Sequence, residues 1–128
     1  MSRVVLDASV ILAILNREPG WDKLTPDLLS EAAGSTVNLA EVQAKLVDKG
    51  LRPNDAWESA VSPIREAIPF TDDQAKLAGS LIAHTRGLGL SLGDRACLAL
   101  GLILKAPVYT ADKSWKGLKL GLRIHSIR

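Results

Sequence analysis

A chain of 128 residues, 47% of them apolar and with a formal net charge of +2, has the length of one domain and too much apolar matter to stay disordered. No apolar run reaches the roughly 18 residues of a membrane span, and Met1-Ser2-Arg3 passes straight into an apolar run without the parts of a signal peptide, so a cytoplasmic protein with no membrane partner is expected. The single cysteine, Cys97, excludes an internal disulfide and suits a reducing compartment.

Val4-Val5-Leu6 reads as a strand buried on both faces, because no polar residue interrupts it. It stops at Asp7. Ser9 is a good N-cap for a helix over Val10 to Leu15, apolar all round and therefore buried. Asp7 then stands where a central strand ends and a helix begins, on the rim where open parallel sheets bind ligands. Its simpler role is to cap the helix. Pro19-Gly20 ends that helix near Asn16. A second helix is expected within residues 21–33, with Thr25-Pro26 at its start, Leu28, Leu29, Ala32 and Ala33 as its apolar stripe, and Gly34 as its stop. Ser35-Thr36-Val37 reads as a short strand. Asn38 caps a third helix, and Glu41 falls at its third position, as in a capping box.

Arg52-Pro53-Asn54-Asp55 opens a fourth helix carrying Trp57, Ala60 and Val61, which Pro63 kinks or splits before Ile64. Residues 67–70 read as a short extended segment. Thr71-Asp72-Asp73-Gln74 is a capping box for a fifth helix reaching Thr85. Ser91 caps a nearly all-apolar helix that runs to Lys105, with Asp94 in its first turn and Cys97 as a small core residue. Residues 107–112 repeat the opening pattern, a short apolar strand and then an acid, Asp112. One helical turn around Trp115 and a strand within residues 120–127 complete the chain. This alternation predicts a single α/β domain over residues 1–128, a parallel sheet with helices on both faces. From Lys113 onward there are five basic residues and no acid; Lys113, Lys116 and Lys119 are suited to contact nucleic-acid phosphates.

Asp7 and Asp112 each end a strand, and Glu41 and Asp94 each begin a helix. In a parallel sheet those places share one rim, so the four carboxylates can converge. Uncompensated, they would repel strongly in a partly dry cleft. An all-oxygen set suits Mg²⁺ or Mn²⁺, while the isolated His84 and His125 argue against zinc. Such a centre is equipped for phosphodiester hydrolysis.

At these residues the chain resembles the PIN-domain proteins, specifically VapC-type toxin ribonucleases. The matching pieces are Val5-Leu6-Asp7-Ala8-Ser9, Asn38-Leu39-Ala40-Glu41-Val42, Leu90-Ser91-Leu92-Gly93-Asp94-Arg95-Ala96, and Pro107-Val108-Tyr109-Thr110-Ala111-Asp112-Lys113-Ser114-Trp115. The resemblance covers essentially the whole chain, most loosely over residues 21–28 and 51–69. It implies a five-stranded parallel sheet, a Mg²⁺ or Mn²⁺ site, endoribonuclease activity on a structured RNA such as tRNA or rRNA, a homodimer, and a cognate VapB-type antitoxin of a type II toxin–antitoxin pair. It also implies that Asp7, Glu41, Asp94 and Asp112 are the metal-binding and catalytic tetrad. Ser9 and Thr110 match small hydroxyl positions near the metal, and Arg95 matches the Arg after the third acid. Antitoxin anchors are expected near Leu15, Trp21, Leu24 and Trp57. Two other classes compete. A phosphoaspartate enzyme would want an acid two residues after Asp7, where Ser9 stands, or an acidic pair on the first strand end. A non-catalytic module would bind RNA or protein without needing the tetrad.

Overall fold

The computed structural model describes residues 2–128. Strands β1 (Val4–Leu6), β2 (Ala32–Ser35), β3 (Glu66–Ile68), β4 (Val108–Thr110) and β5 (Ile124–Ser126) form one parallel sheet in the order β3-β2-β1-β4-β5. The chain winds outward from β1 to β3. It then crosses back to lay β4 on the other side of β1, with Val5 beside Val108 and Leu6 beside Tyr109. The winding direction therefore reverses between β1 and β4, where such sheets open a crevice at their carboxyl ends.

Side chains alternate across β1 and divide the core in two. Val4 and Leu6 pack with α1 (Ala8–Asn16), α3 (Thr36–Asp48) and α4 (Pro53–Val61). Val5 and Val108 pack on the opposite face with α5 (Asp72–Ser80) and α7 (Leu92–Leu104). The α7 helix lies directly on β4 because Gly101 has no side chain: a Cβ there would stand 2.5 Å from Val108 Cγ2.

The largest departure from expectation lies in residues 21–35. Instead of one helix there is a 3₁₀ turn (Trp21–Lys23), a short α2 (Pro26–Leu29) and then β2. Ala32 and Ala33 belong to the sheet, where residues of such low strand propensity are tolerated because both faces are covered. The expected strand over residues 35–37 is the start of α3, with Ser35 as its N-cap accepting from the Val37 N–H at 3.2 Å. Asn38 is therefore no cap, and Glu41 sits in the second turn. The α4 helix stops at Val61 ahead of Pro63. The fifth helix breaks after Ser80 and resumes as α6 (Ile82–Thr85) and a 3₁₀ turn (Arg86–Leu88). There the Ser80 and Thr85 hydroxyls donate to the carbonyls of Leu77 and Leu81, in competition with the helical ladder.

Candidate active site

Asp7 follows the last residue of β1 and is also the N-cap of α1. Its N–H still pairs with the Tyr109 carbonyl at 3.1 Å, so strand pairing continues to the acid itself. Oδ1 accepts from the Val10 N–H at 2.9 Å and the Ser9 hydroxyl at 2.6 Å. Oδ2 accepts from the Thr110 hydroxyl at 2.6 Å. Each hydroxyl in turn accepts from the backbone leaving β4: Ser9 from Ala111 at 2.9 Å, Thr110 from Asp112 at 3.1 Å. The two strand ends are laced together through the carboxylate. Asp7 is only 4% exposed. Burial, opposed by these three hydrogen bonds and reinforced by the negative charge of Asp94, pushes its pKa from 3.8 up to about 6.

Two more acids act locally as caps. Asp112 is the N-cap of the 3₁₀ turn Lys113–Gly117, its Oδ1 accepting from the Ser114 N–H at 2.9 Å and hydroxyl at 2.7 Å. Asp94 completes a capping box with Ser91: its N–H donates to Ser91 Oγ at 3.1 Å, and its Oδ2 accepts from the Ser91 N–H at 3.0 Å. Asp112 Oδ2 and Asp94 Oδ1 accept no hydrogen bond among the described residues.

Glu41 is held differently. Its Oε1 accepts from the Asn38 amide at 2.9 Å, and the same amide donates to the Gly93 carbonyl at 3.0 Å, tying α3 to the start of α7. Only the NH₂ end of an amide can face two oxygens, so Asn38 has one orientation, with Oδ1 buried and lacking a donor. Gly93 is required beside it, because a Cβ there would overlap the Glu41 carboxylate. Sequence reasoning took Asn38 for a cap and missed this role. The signal is an Asn three residues before an acid on one helix face, legible only once the helix start moves back to Thr36.

Asp7, Ser9, Glu41, Asp94 and Asp112 line one cleft of about 220 Å³, with Trp115 and Lys45 also on its wall. Thr110 is buried directly beneath Asp7. Behind the cleft, burial and the charges of Asp7, Asp94 and Glu41 hold the Cys97 thiol well above its ordinary pKa. Two expected residues do not line the cleft. The Arg95 guanidinium points into α5, donating to the Ala78 carbonyl at 2.9 Å, and Lys113 is exposed on the turn after Asp112. Lys45, one helical turn beyond Glu41, is a cleft residue that sequence reasoning missed; the i to i+4 spacing was the available signal. His84 is exposed, and His125 stacks on Tyr109 with ring centroids 4.8 Å apart. Of the expected anchors, Leu24 is buried in the core, while Leu15, Trp21 and Trp57 are half-buried against it.

The carboxylate oxygens gathered here fit a hard divalent cation such as Mg²⁺ or Mn²⁺. A buried acid with a raised pKa is also a group that a nearby cation would return to its charged form. Among the described residues, no three acidic, His or Cys side chains stand close enough to enclose an ion as they are oriented.

No curated protein matches the chain in sequence. Solved structures share its fold. VapBC2 from Rickettsia felis, bound to a DNA fragment from its promoter, aligns at 20% identity over 96% of this chain and 97% of that one, with a TM-score of 0.71. DNA-bound VapBC from Salmonella typhimurium aligns at 17% identity over 100% of both chains, TM-score 0.78. Mycobacterium tuberculosis VapC20, a Sarcin-Ricin loop cleaving toxin, aligns at 18% identity over 94% of this chain and 98% of that one, TM-score 0.72. The PIN domain family model matches residues 4–119, which spans all four acids of the cleft: the chain belongs to the PIN domain family.

Proposed function

We propose that this protein is a Mg²⁺- or Mn²⁺-dependent endoribonuclease, the toxin of a type II toxin–antitoxin pair. The observation that carries the reading is the gathering of four carboxylates, from four separate elements, into one cleft where the sheet reverses its winding. Asp7 and Asp94 would be the principal ligands of the cation. Glu41 and Asp112 would complete its shell or orient the attacking water. The bound cation would supply Lewis-acid polarisation of a phosphodiester and a bound water more acidic than bulk water. The chain's own residues provide the rest. Ser9 and Thr110 fix both oxygens of Asp7, so the carboxylate meets its ligand without reorganising. Asn38 holds Glu41 against α7, which keeps it at a set distance from Asp94.

A VapB-type antitoxin and a homodimer belong to the same reading. The antitoxin would cover the acidic cleft with an Arg, whose guanidinium pairs bidentately with carboxylates, and would anchor apolar side chains near Leu15, Trp21 and Trp57. Leu88 and Leu92, 41% and 53% exposed, offer apolar area for self-association. No single helix among the described residues is long and apolar enough to cross a membrane, and the cytoplasm is the compartment that supplies the RNA. RNA cleavage assays test the enzyme reading. Mn²⁺ should support cleavage, chelator should stop it, and Asp94→Asn should abolish it while the fold is kept. Full cleavage by the variant would overturn the role given to Asp94, whereas RNA binding without cleavage at any metal concentration would leave the non-catalytic RNA- or protein-binding module as the better reading.

A further inference from the structure

An RNA backbone entering a cleft walled by four carboxylates meets repulsion unless a cation faces it. Four of the chain's eight guanidinium groups are engaged elsewhere. Arg3 pairs with Glu66 at 3.2 Å, and Arg128 pairs with Glu18 at 2.6 Å. Arg17 lies over the Trp21 ring at 5.2 Å, and Arg95 is turned into α5. Lys113 is exposed but off the cleft wall. Among the described residues, Lys45 is the one basic side chain on that wall, and its ammonium makes no ion pair. It is exposed on α3, one turn after Glu41. A Glu–Lys pair at this spacing would ordinarily close on the helix surface. Here Glu41 is bound instead by Asn38, and Lys45 stays available.

We propose that Lys45 is a substrate-contact residue, whose ammonium meets a backbone phosphate of RNA entering the acid cleft. This rests on the ribonuclease reading above. A flexible four-carbon stem and a compact charge suit a phosphate whose position differs from one RNA to another.

Steady-state kinetics and binding with bulk tRNA and ribosomal RNA, using Lys45→Ala and Lys45→Arg, test it. Lys45→Ala should raise KM about tenfold, the equivalent of one charge-assisted contact. It should leave kcat within about twofold, since the contact is shared by ground and transition states. The slope of log affinity against log salt should become shallower by about 0.7 to 0.9. Lys45→Arg should restore both quantities, and calorimetric Mn²⁺ affinity without RNA should not move. An unchanged KM and salt slope in an active Lys45→Ala variant would overturn this inference alone. So would failure of Arg to rescue, or a change confined to Mn²⁺ affinity, which would make Lys45 a neutraliser of the acids. A wild type that cuts neither RNA in Mn²⁺ would overturn the ribonuclease reading, and this one with it.

Discussion

Replacing Asp7 with Asn should stabilise the metal-free protein at neutral pH. Asp7 titrates near pH 6 in the fold and at 3.8 in the unfolded chain. Below about pH 4 both states are protonated and burial carries no charge penalty. Between pH 4 and 6 the unfolded chain releases a proton that the folded one retains, so stability falls as pH rises; above pH 6 the loss is complete. The gap from 3.8 to about 6, at about 1.4 kcal/mol per pH unit, amounts to about 3 kcal/mol. Asn copies the protonated carboxyl: its Oδ1 accepts from Ser9 and Val10, and its NH₂ donates to Thr110 Oγ1, which has a lone pair to spare. For a domain this size the difference corresponds to about 10 °C in Tm. Thermal melts of both proteins in chelator, from pH 4 to pH 8, measure it. The two should converge near pH 4 and separate by pH 7, the variant melting higher. Mn²⁺ should raise the wild type by linkage and do less for the variant. A variant that melts lower than wild type at pH 8 in chelator, or a difference that ignores pH, would refute the reasoning and leave Asp7 as a helix cap alone.

Gly93→Ala should lower the RNA cleavage rate about a hundredfold by displacing the Glu41 carboxylate. It should cost only about 1 kcal/mol of stability, because the displaced group is the free end of a side chain; kinetics and denaturation on one preparation check both. Asn38→Ala should destabilise by about 1 to 3 kcal/mol in urea, since the buried Gly93 carbonyl loses its donor, and Asn38→Asp should be worse because it sets a carboxylate against Glu41. Gly101→Val should cost about 1 to 3 kcal/mol by forcing α7 away from Val108, read as a lower Tm with Mn²⁺ affinity unchanged.

Asp7, Asp94 and Asp112 were legible in the sequence because their signals are local. Each stands at the edge of an apolar run, and a strand end or a cap pattern needs only neighbouring residues to be recognised. Ala32-Ala33-Gly34 carried no such signal. Their strand state comes from pairing with β1 and β3 and from cover on both faces, which only the assembled sheet supplies. That error shifted the start of α3, and with it the meaning of Asn38 and the turn on which Glu41 lies. Arg95 misled for the opposite reason. Its place beside Asp94 is local, but the path of its side chain is set by α5, whose Ala78 carbonyl receives it.

The double use of the acids as caps bears on how such a site decays. Asp7, Asp94 and Asp112 each satisfy backbone N–H groups that Asn or Ser would satisfy about as well. The hydrogen bonding therefore requires no charge at these three places, and at position 7 burial disfavours it; the proposed cation site is what would call for it. Glu41 caps nothing, and its nearest constraint is the amide of Asn38. A descendant released from selection for cleavage would drift to Asn or Ser at positions 7, 94 and 112 while keeping every turn of its backbone. Silent copies of this scaffold are thus to be recognised by neutral caps in place of acidic ones, and not by any loss of shape.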